Sequence, residues 1–255
     1  MKEIKKLLRR LMDPFSPAWI HVLTNPFWLS RRAIYKSVEF FGPSLSGTVI
    51  DFGCGTVPYR QLLSNCSEYV GVDYDSPRAR SLGVADRFYD GETIPFDTGT
   101  IGGVLSTQSL EHVPNPDRIV AEWARILKDN GFLLVTVPLM WPEHEAPWDF
   151  HRLTSYGLRK LLEENSFEVL EVKRLLPDCR APAQLFLAWV NDAWFSRCGK
   201  FSRIALTALI CPPVVVFSTL VARLSPRNSN TYLDNAVLAR RACRAACVSE
   251  NGRAN

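Results

Sequence analysis

The sequence predicts an α/β fold in which a doubly wound, mostly parallel β-sheet is covered by helices on both faces. Three observations support this prediction. Short apolar segments alternate with amphipathic helical segments over residues 47–175. A glycine turn directly follows the first of these apolar segments. The nearly continuous apolar run at 132–138 has the composition of a strand that is buried on both faces.

The alternation predicts six strands, and a seventh follows a long interruption. The strands are expected within 48–53, 68–75, 87–96, 102–110, 132–138, 167–175 and 231–240. Helices are expected at 59–66, 116–131 and 154–167, with Gly131 as the stop signal of the second and Thr154 as the cap of the third.

This order of elements divides the chain into four segments. Residues 1–46 form an N-terminal amphipathic and aromatic helical segment, and 47–180 form the α/β core. Residues 181–228 form a hydrophobic helical insert before the last strand, and 229–255 hold that strand and a polar tail.

Charge and cysteine usage limit the class of protein. The net charge of +4 equals the excess of Lys and Arg within residues 1–12 alone, so it gives no indication of nucleic-acid binding. Seven cysteines without a CxxC pair are typical of reduced thiols rather than of a disulfide framework or a zinc site. No apolar region follows the N-terminal charges, so a secretory signal is not expected. We expect a cytoplasmic protein, and the oligomeric state stays open.

Two segments indicate contact with a membrane. Residues 1–12 show a helical apolar stripe with a basic opposite face, typical either of a helix packed on the domain or of one drawn to anionic lipid. Residues 204–222 carry no charge, but Pro212 and Pro213 argue against a regular transmembrane helix. Because a sheet strand follows at 231–240, we favour a hairpin that touches the inner face of the membrane peripherally, over a soluble lid or a dimer surface.

The glycine turn VIDFGCGTVP at 49–58 has the features of a nucleoside site. Gly53 and Gly55 allow a ligand to approach the backbone, and Pro58 is expected to open a helix whose N–H groups hold a carboxylate. Asp73 ends the second strand, where its carboxylate can accept hydrogen bonds from ribose hydroxyls. The third glycine of the dinucleotide fingerprint is missing, which argues against NAD or FAD.

Together with GVDYD, YDGETIPF and VLSTQSLEHV, this turn resembles the class I S-adenosylmethionine-dependent methyltransferases of the LEHV type, similar to methyltransferase type 11. The resemblance covers about residues 47–175. It implies a Rossmann-like sheet of seven strands with the last one antiparallel, and S-adenosyl-L-methionine as the cofactor. The chain departs from many relatives at Gly102-Gly103, where they carry an acid; this departure suggests a looser fourth strand.

The resemblance also implies roles for individual residues. Asp51, Gly53 and Gly55 are expected at the methionine and ribose part of the cofactor, and Asp73 at the ribose hydroxyls. Asp90 is expected at the adenine amino group, with Gly91 and Glu92 beside it. Gln108 and Ser109 are expected at the methionine end, with Leu110, Glu111 and His112 following.

Several of these residues also have purely structural interpretations. The glycines suit any tight turn, and Asp73 is a plausible helix cap. Asp90 before Gly91 is typical of an Asx turn. His112 is equally suited to ending a strand.

Residues 138–154 follow the fifth strand and are expected to lie over the acceptor. Similar HE-x-P-x-DF-x-R-x-T segments occur in related methyltransferases. Methyl transfer requires alignment of the acceptor and, for a hydroxyl, removal of one proton. The expected catalytic residues are His144 or His151 as the base, with Glu145 or Asp149 orienting it. The spacing matches no standard metal site, so no metal is expected. Alternatively, the segment is a structural loop in which Arg152 pairs with Asp149.

The resulting hypothesis is a methyltransferase that acts on a hydroxyl of a glycan, a lipid-linked sugar or another amphipathic small molecule. One alternative is a quinone or lipid-head-group methyltransferase. Another is a non-catalytic, methyltransferase-like membrane scaffold.

Overall fold

The computed structural model describes Phe15, residues 17–225 and residues 230–243. The amphipathic helix expected at 1–12 and most of the polar tail lie outside these residues, so both stay predictions.

The described residues contain the seven-stranded sheet that the sequence predicts. Its strands are β1 (Gly47–Phe52), β2 (Cys66–Tyr74), β3 (Arg87–Tyr89), β4 (Ile101–Thr107), β5 (Leu127–Pro138), β6 (Phe167–Leu175) and β7 (Asp234–Arg241). They are arranged in the order β3-β2-β1-β4-β5-β7-β6. The pairs β1–β2, β1–β4, β2–β3 and β4–β5 are parallel. This is the doubly wound fold, and the prediction of its class is confirmed.

The last strand runs antiparallel to its neighbour, as expected. The amide of Leu233 donates to the carbonyl of Leu175 over 2.9 Å, at the end of β6 and the start of β7. At the opposite end, the amide of Ala242 donates to the carbonyl of Ser166 over 3.0 Å. Pairing the start of one strand with the end of the other requires opposite directions. Strand β7 is thereby inserted between β5 and β6.

The described α-helices are α1 (Trp28–Phe41), α2 (Pro77–Leu82), α3 (Pro116–Ile126), α4 (Ser155–Glu164), α5 (Arg180–Ala193) and α6 (Lys200–Leu224). The predicted cap of α4 is confirmed, since the Thr154 hydroxyl accepts a hydrogen bond from the Gly157 amide. Helix α3 has an equivalent cap in Asn115, whose side chain accepts from the Arg118 amide.

The helix expected at 59–66 does not form. Only a short 3-10 helix, Arg60–Leu62, is present, and β2 already begins at Cys66. Val57 adopts a left-handed conformation with φ of 53° directly before Pro58, which turns the chain instead of starting a helix. The prediction that a helix N-terminus at Pro58 holds a carboxylate is therefore wrong.

The end of α3 also differs from the prediction. The helix ends at Ile126, and Leu127 already pairs with Ile101 of β4. The next pair joins Gly103 to Phe132, so residues 128–131 bulge out of the ladder. Gly131 is thus part of this bulge and not the stop of the helix.

Helix α6 continues through Pro212 and Pro213, both of which the sequence suggested would interrupt it. A proline within a helix removes one backbone hydrogen bond and crowds the preceding turn. The 25-residue helix keeps its conformation on both sides of the pair.

The glycine pair Gly102-Gly103 packs tightly, contrary to the looser strand that was expected. A Cβ atom on Gly102 would lie 2.2 Å from the Ser46 carbonyl oxygen, and one on Gly103 would lie 3.1 Å from the Leu45 Cβ. The pair therefore allows β4 to approach the segment that leads into β1.

The chain divides into two compact units. The sheet unit comprises Ser37–Leu139, His144–Lys173 and Asn235–Asn255, and its core is formed by strand residues and by the apolar faces of α3 and α4. The helical unit comprises Met1–Lys36, Met140–Glu143 and Arg174–Asp234. Within it, Gln184 is fully buried, accepts from the Ser30 amide and donates to the Pro26 carbonyl. The four-segment division proposed from the sequence stays a prediction.

Candidate functional site

The glycine turn lies at the carboxyl end of β1, between the ends of β2 and β4. The amides of Gly53 and Cys54 both donate to the Val72 carbonyl of β2, at 2.8 and 3.2 Å. Gly53 and Gly55 adopt left-handed conformations with φ of 70° and 50°. Such conformations favour glycine, which explains both residues of the DxGxG pattern.

The surroundings of the two glycines differ. Gly53 packs against Ser109, whose hydroxyl donates to the Thr107 carbonyl and lies 3.4 Å from the Gly53 carbonyl. Around Gly55, by contrast, nothing lies within 4 Å of the position a Cβ atom would take. Gly53 therefore closes the turn against β4, whereas Gly55 faces open space.

Asp51 is a buried carboxyl at the end of β1. Burial raises its pKa to about 7. The negative charge of Asp73 contributes to this increase, whereas a hydrogen bond from the Tyr69 hydroxyl acts against it. Its Oδ1 atom is buried and has no hydrogen-bond partner among the residues that the structure describes. A buried acceptor without a partner is costly, which is typical of a group that serves a ligand.

Asp73 lies at the end of β2 and faces the turn. Its Oδ2 accepts from the Gly55 amide over 3.2 Å, and its Oδ1 accepts from the Tyr74 amide over 2.8 Å. Partial burial raises the pKa of this carboxyl, although both amides act in the opposite direction. Asp73 caps no helix; the helix that follows, α2, is capped by Ser76.

Asp90 forms the Asx turn that was considered as the structural alternative. Its Oδ1 accepts from the amides of Glu92 and Thr93, and these hydrogen bonds lower its pKa. Gly91 has φ of 100°, and a Cβ atom there would lie 3.4 Å from the Tyr74 ring. The bonds to the loop use only one carboxylate oxygen, so a role at an adenine amino group stays a prediction.

Gln108 and Ser109 follow β4 and turn the chain sharply. Gln108 has φ of 52°, its amide donates to the Thr136 carbonyl and its side chain donates to the Thr136 hydroxyl. A non-glycine residue in this conformation is uncommon, and such residues concentrate at functional sites.

The segment after β5 is organised around a partly buried ion pair. Both Asp149 oxygens accept from the Arg152 guanidinium over 2.6 Å, which holds the pKa of this carboxyl well below its usual range. Oδ2 of Asp149 also accepts from the His144 amide and lies 3.2 Å from His144 Nδ1. The pair expected under the structural alternative is thus present, and the same aspartate orients a predicted base.

The other two predicted catalytic residues are placed differently. Glu145 has φ of 53° and pairs with Arg78 at an exposed position, so Asp149 is the acid that contacts His144. The His151 amide donates to the Glu111 carbonyl, and His151 Nε2 is buried with no hydrogen-bond partner within the described part of the chain.

Two contacts of the predicted residues could not be identified from motifs. The Tyr69 hydroxyl donates to Asp51 from the neighbouring strand β2. It can reach this carboxyl because Gly71, the residue of β2 that pairs directly with Asp51, has no side chain. His112 lies beside His144, with ring centroids 4.8 Å apart. The alternation along β2 was a usable signal for Tyr69, whereas the separation of His112 from His144 in sequence gave none.

Comparisons with known proteins identify relatives of part of this chain. Residues 50–135 match the family described as "Methyltransferase domain". A probable S-adenosylmethionine-dependent methyltransferase of Mycolicibacterium smegmatis is 30% identical over 133 residues, covering 48% of this chain and 52% of that protein. The chain spans about half the length of the curated relatives that it matches.

Solved structures show the same fold at low sequence identity. The cyclase SpnF superimposes with a TM-score of 0.56 at 17% identity, covering 92% of this chain and 95% of that one. Phosphoethanolamine N-methyltransferase 2 of Haemonchus contortus, solved with S-adenosylhomocysteine, gives 0.51 at 15%, covering 82% and 52%. Residues 50–135 are thus similar to a methyltransferase domain, and the solved structures share the fold of this chain.

Proposed function

We propose that the chain is an S-adenosylmethionine-dependent methyltransferase that acts on a small-molecule acceptor. The observation that carries this proposal is the combination of Gly55, which faces open space, with the two carboxyls Asp51 and Asp73 on either side of the turn. The match leaves about half of each curated relative uncovered, so the activity of those relatives does not by itself give the activity of this chain.

The residues present fit the cofactor. Asp51, whose buried Oδ1 has no partner among the described residues, supplies an acceptor at the methionine and ribose part, and Asp73 supplies one for the ribose hydroxyls. Gln108 and Ser109 border the methionine end. When bound, S-adenosylmethionine supplies an activated methyl group on a sulfonium centre. The chain itself must hold this donor, align the acceptor and exclude water.

His144 and His151 are the candidate bases for a hydroxyl acceptor. Oδ2 of Asp149 lies 3.2 Å from Nδ1 of His144, so a neutral ring that donates from Nδ1 would present the lone pair of Nε2 to a hydroxyl proton. This arrangement supports transfer to a hydroxyl of a glycan, a lipid-linked sugar or another amphipathic molecule. A quinone or a lipid head group would use the same donor site and is the competing acceptor class.

Calorimetric titration of the full chain with S-adenosylmethionine tests the donor site. Asp73→Ala should weaken binding about 100-fold, because two charge-assisted hydrogen bonds are lost. Asp75→Ala is the matched control, since Asp75 lies two residues away but is exposed and paired with Arg80. Absence of binding by the folded chain would instead favour the non-catalytic scaffold. Labelled methyl transfer to fractionated cell extract then separates glycan from quinone acceptors.

We further propose that helix α6 contacts a lipid surface. Among the described residues, it is the one helix long and apolar enough to cross a membrane, and only 22% of its most apolar window is buried. Its buried stripe consists of small side chains, Thr207, Cys211, Val215 and Ser218. Large apolar side chains are exposed instead, with Leu209 at 71% and Phe217 at 70%. A helix packed only against protein would have the reverse distribution.

The ends of the insert favour a helix lying on the membrane over one that crosses it. Leu175 and Leu233 are hydrogen-bonded, so the insert leaves and re-enters the sheet at one place. A return crossing would therefore need α5, whose 14 residues span roughly 21 Å, too short for a hydrocarbon core of about 30 Å. Lys200, Arg203 and Arg223 flank the apolar stretch and suit anionic head groups at the inner face.

Flotation with anionic phosphatidylglycerol vesicles tests this contact. The double variant Leu209→Glu, Phe217→Glu should remain at the bottom of the gradient, because two charges would enter the apolar layer. Tyr156→Glu, at an exposed aromatic position of α4, is the control and should float like the wild type. Equal flotation of all three proteins would remove α6 from the membrane contact, and self-association measured by light scattering would then identify a dimer surface.

A further inference from the structure

Three side chains that can bind a metal converge next to the proposed acceptor region. Glu111 and His112 follow β4, and His144 follows β5. One ligand atom from each side chain lies within 4.8 Å of the other two. All three belong to the sheet unit. Two imidazoles and one carboxylate form a donor set that binds divalent transition metals in proteins.

The hydrogen bond of His112 selects the nitrogen that points toward a ligand. Its Nδ1 lies 2.6 Å from the Trp148 carbonyl oxygen, which can only accept, so Nδ1 carries the proton. In the neutral ring the lone pair is then on Nε2. This same Nε2 lies 4.0 Å from Oε1 of Glu111. The imidazole nitrogen and the carboxylate oxygen are therefore close enough for one cation to contact both.

His144 is held in the same way by a carboxylate. Its Nδ1 lies 3.2 Å from Oδ2 of Asp149, and the same oxygen accepts a hydrogen bond from the Arg152 guanidinium over 2.6 Å. A neutral ring that donates from Nδ1 to this carboxylate presents its lone pair at Nε2. Histidine ligands of metals almost always donate their second ring N–H to a carboxylate or a backbone carbonyl. The two histidines of this cluster show one example of each.

From these contacts we infer that Glu111, His112 and His144 bind a divalent transition-metal cation. The sequence predicts no metal, because the spacing of the residues along 138–154 matches no standard site. The structure adds Glu111 and His112 from a different strand end, which spacing within one segment cannot reveal. Bound ligands at about 2.1 Å from a metal lie roughly 3 to 4 Å apart, so the most widely separated donors need to close by roughly 1 to 2 Å.

The burial of the cluster suits an exchangeable site. The Glu111 side chain is only 1% exposed, whereas those of His112 and His144 are 20% and 33% exposed. A cation would therefore be anchored on the buried carboxylate and reached from the side of the imidazoles, with coordination positions left for water or an acceptor oxygen. Any role in methyl transfer rests on the proposed function, and it would leave His151 as the base; cation binding itself does not depend on either.

Calorimetric titration of the chelator-treated full chain with ZnCl₂ tests the inference. The wild type should bind one equivalent with Kd in the micromolar range or below and should gain thermal stability with zinc. Binding of Co²⁺, monitored by visible absorption, provides a second readout of nitrogen and oxygen ligation. The double variant His112→Ala, His144→Ala should lose at least 100-fold in affinity and all of the zinc-dependent shift in Tm.

His151→Gln is the matched control, because this histidine lies in the same segment but outside the donor set, and it should bind zinc like the wild type. The more conservative variant His112→Gln, checked by circular dichroism, covers the case in which the double variant does not fold. Zinc binding that is equal in the wild type and in both His112 variants would place the cation on cysteines and overturn the inference. Failure to bind zinc at all would do the same, whatever the titration with S-adenosylmethionine shows.

Discussion

A Cβ atom built on Gly53 would lie 2.1 Å from the Oγ of Ser109 and 2.6 Å from its Cβ. The turn after β1 and the end of β4 thus share one closely packed contact. Ser109 occupies the space that any side chain at position 53 would need, so this glycine is required both for its conformation and for its size.

Gly53→Ala should therefore cost about 2 to 4 kcal/mol of unfolding free energy, from overpacking and from the left-handed backbone. Gly83→Ala provides the reference, because Gly83 has φ of 63° but no atoms within 4 Å of a Cβ position. That variant should cost about 1 kcal/mol. Urea unfolding of both variants measures the difference, and equal losses would show that Ser109 moves aside.

Gly55→Ala should separate stability from ligand binding. The open space around this residue leaves only the backbone cost, so the loss of unfolding free energy should match that of Gly83→Ala. Affinity for S-adenosylmethionine should fall at least 10-fold, because the added methyl group enters the space proposed for the cofactor. Unchanged affinity in calorimetry would place the cofactor elsewhere.

Asp51 should make stability depend on pH between about 4 and 7. Its pKa is raised from 3.8 to about 7, so the folded state retains a proton that the unfolded chain releases. The free energy of unfolding should therefore fall as the pH rises through this range and then level off, by up to about 4 kcal/mol in total.

Asp51→Asn should remove this slope and be more stable than the wild type at pH 8, while binding S-adenosylmethionine more weakly. Urea unfolding at several pH values, with calorimetry at pH 8, measures both effects. A parallel pH dependence in the two proteins would contradict the assignment of the raised pKa to Asp51.

Asp149→Asn should destabilise the chain by about 3 kcal/mol, because the Arg152 charge would lose its buried partner. Glu163→Gln is the control, since Glu163 forms an exposed pair with Arg159 one turn away on α4, and it should cost less than about 1 kcal/mol. Thermal unfolding compares the two variants. Similar small losses would mean that the Asp149–Arg152 pair only shapes the local loop.

The sequence predicts the sheet well because each buried strand carries its own apolar run. The cap at Thr154 and the open turn at Gly55 were also predictable, since local chemistry determines them. The helix expected at 59–66 failed because β2 begins as early as Cys66, which is a property of the sheet and not of the segment. The interruption of α6 expected at Pro212 and Pro213 also failed, since regular helix extends on both sides of them.

The candidate site likewise contains residues that local motifs predict and contacts that depend on the folded sheet. Asp51, Gly53, Gly55 and Asp73 come from motifs whose spacing places them around one turn. The grouping of His112 with His144 depends on β4 and β5 lying side by side in the sheet, and the choice of Asp149 over Glu145 depends on how one loop folds. Such relations arise only after the strands have paired.

The hydrogen bond between Leu233 and Leu175 brings together the two ends of residues 176–232, so this segment is an insertion between β6 and β7. Doubling the length of such a loop costs only about 0.6 kcal/mol in chain entropy. An evolving lineage can therefore gain, exchange or lose whole helices at this point while the pairing of β6 with β7 stays the same. The proposed lipid contact on α6 and the proposed cofactor site at the turn after β1 can therefore vary independently of each other.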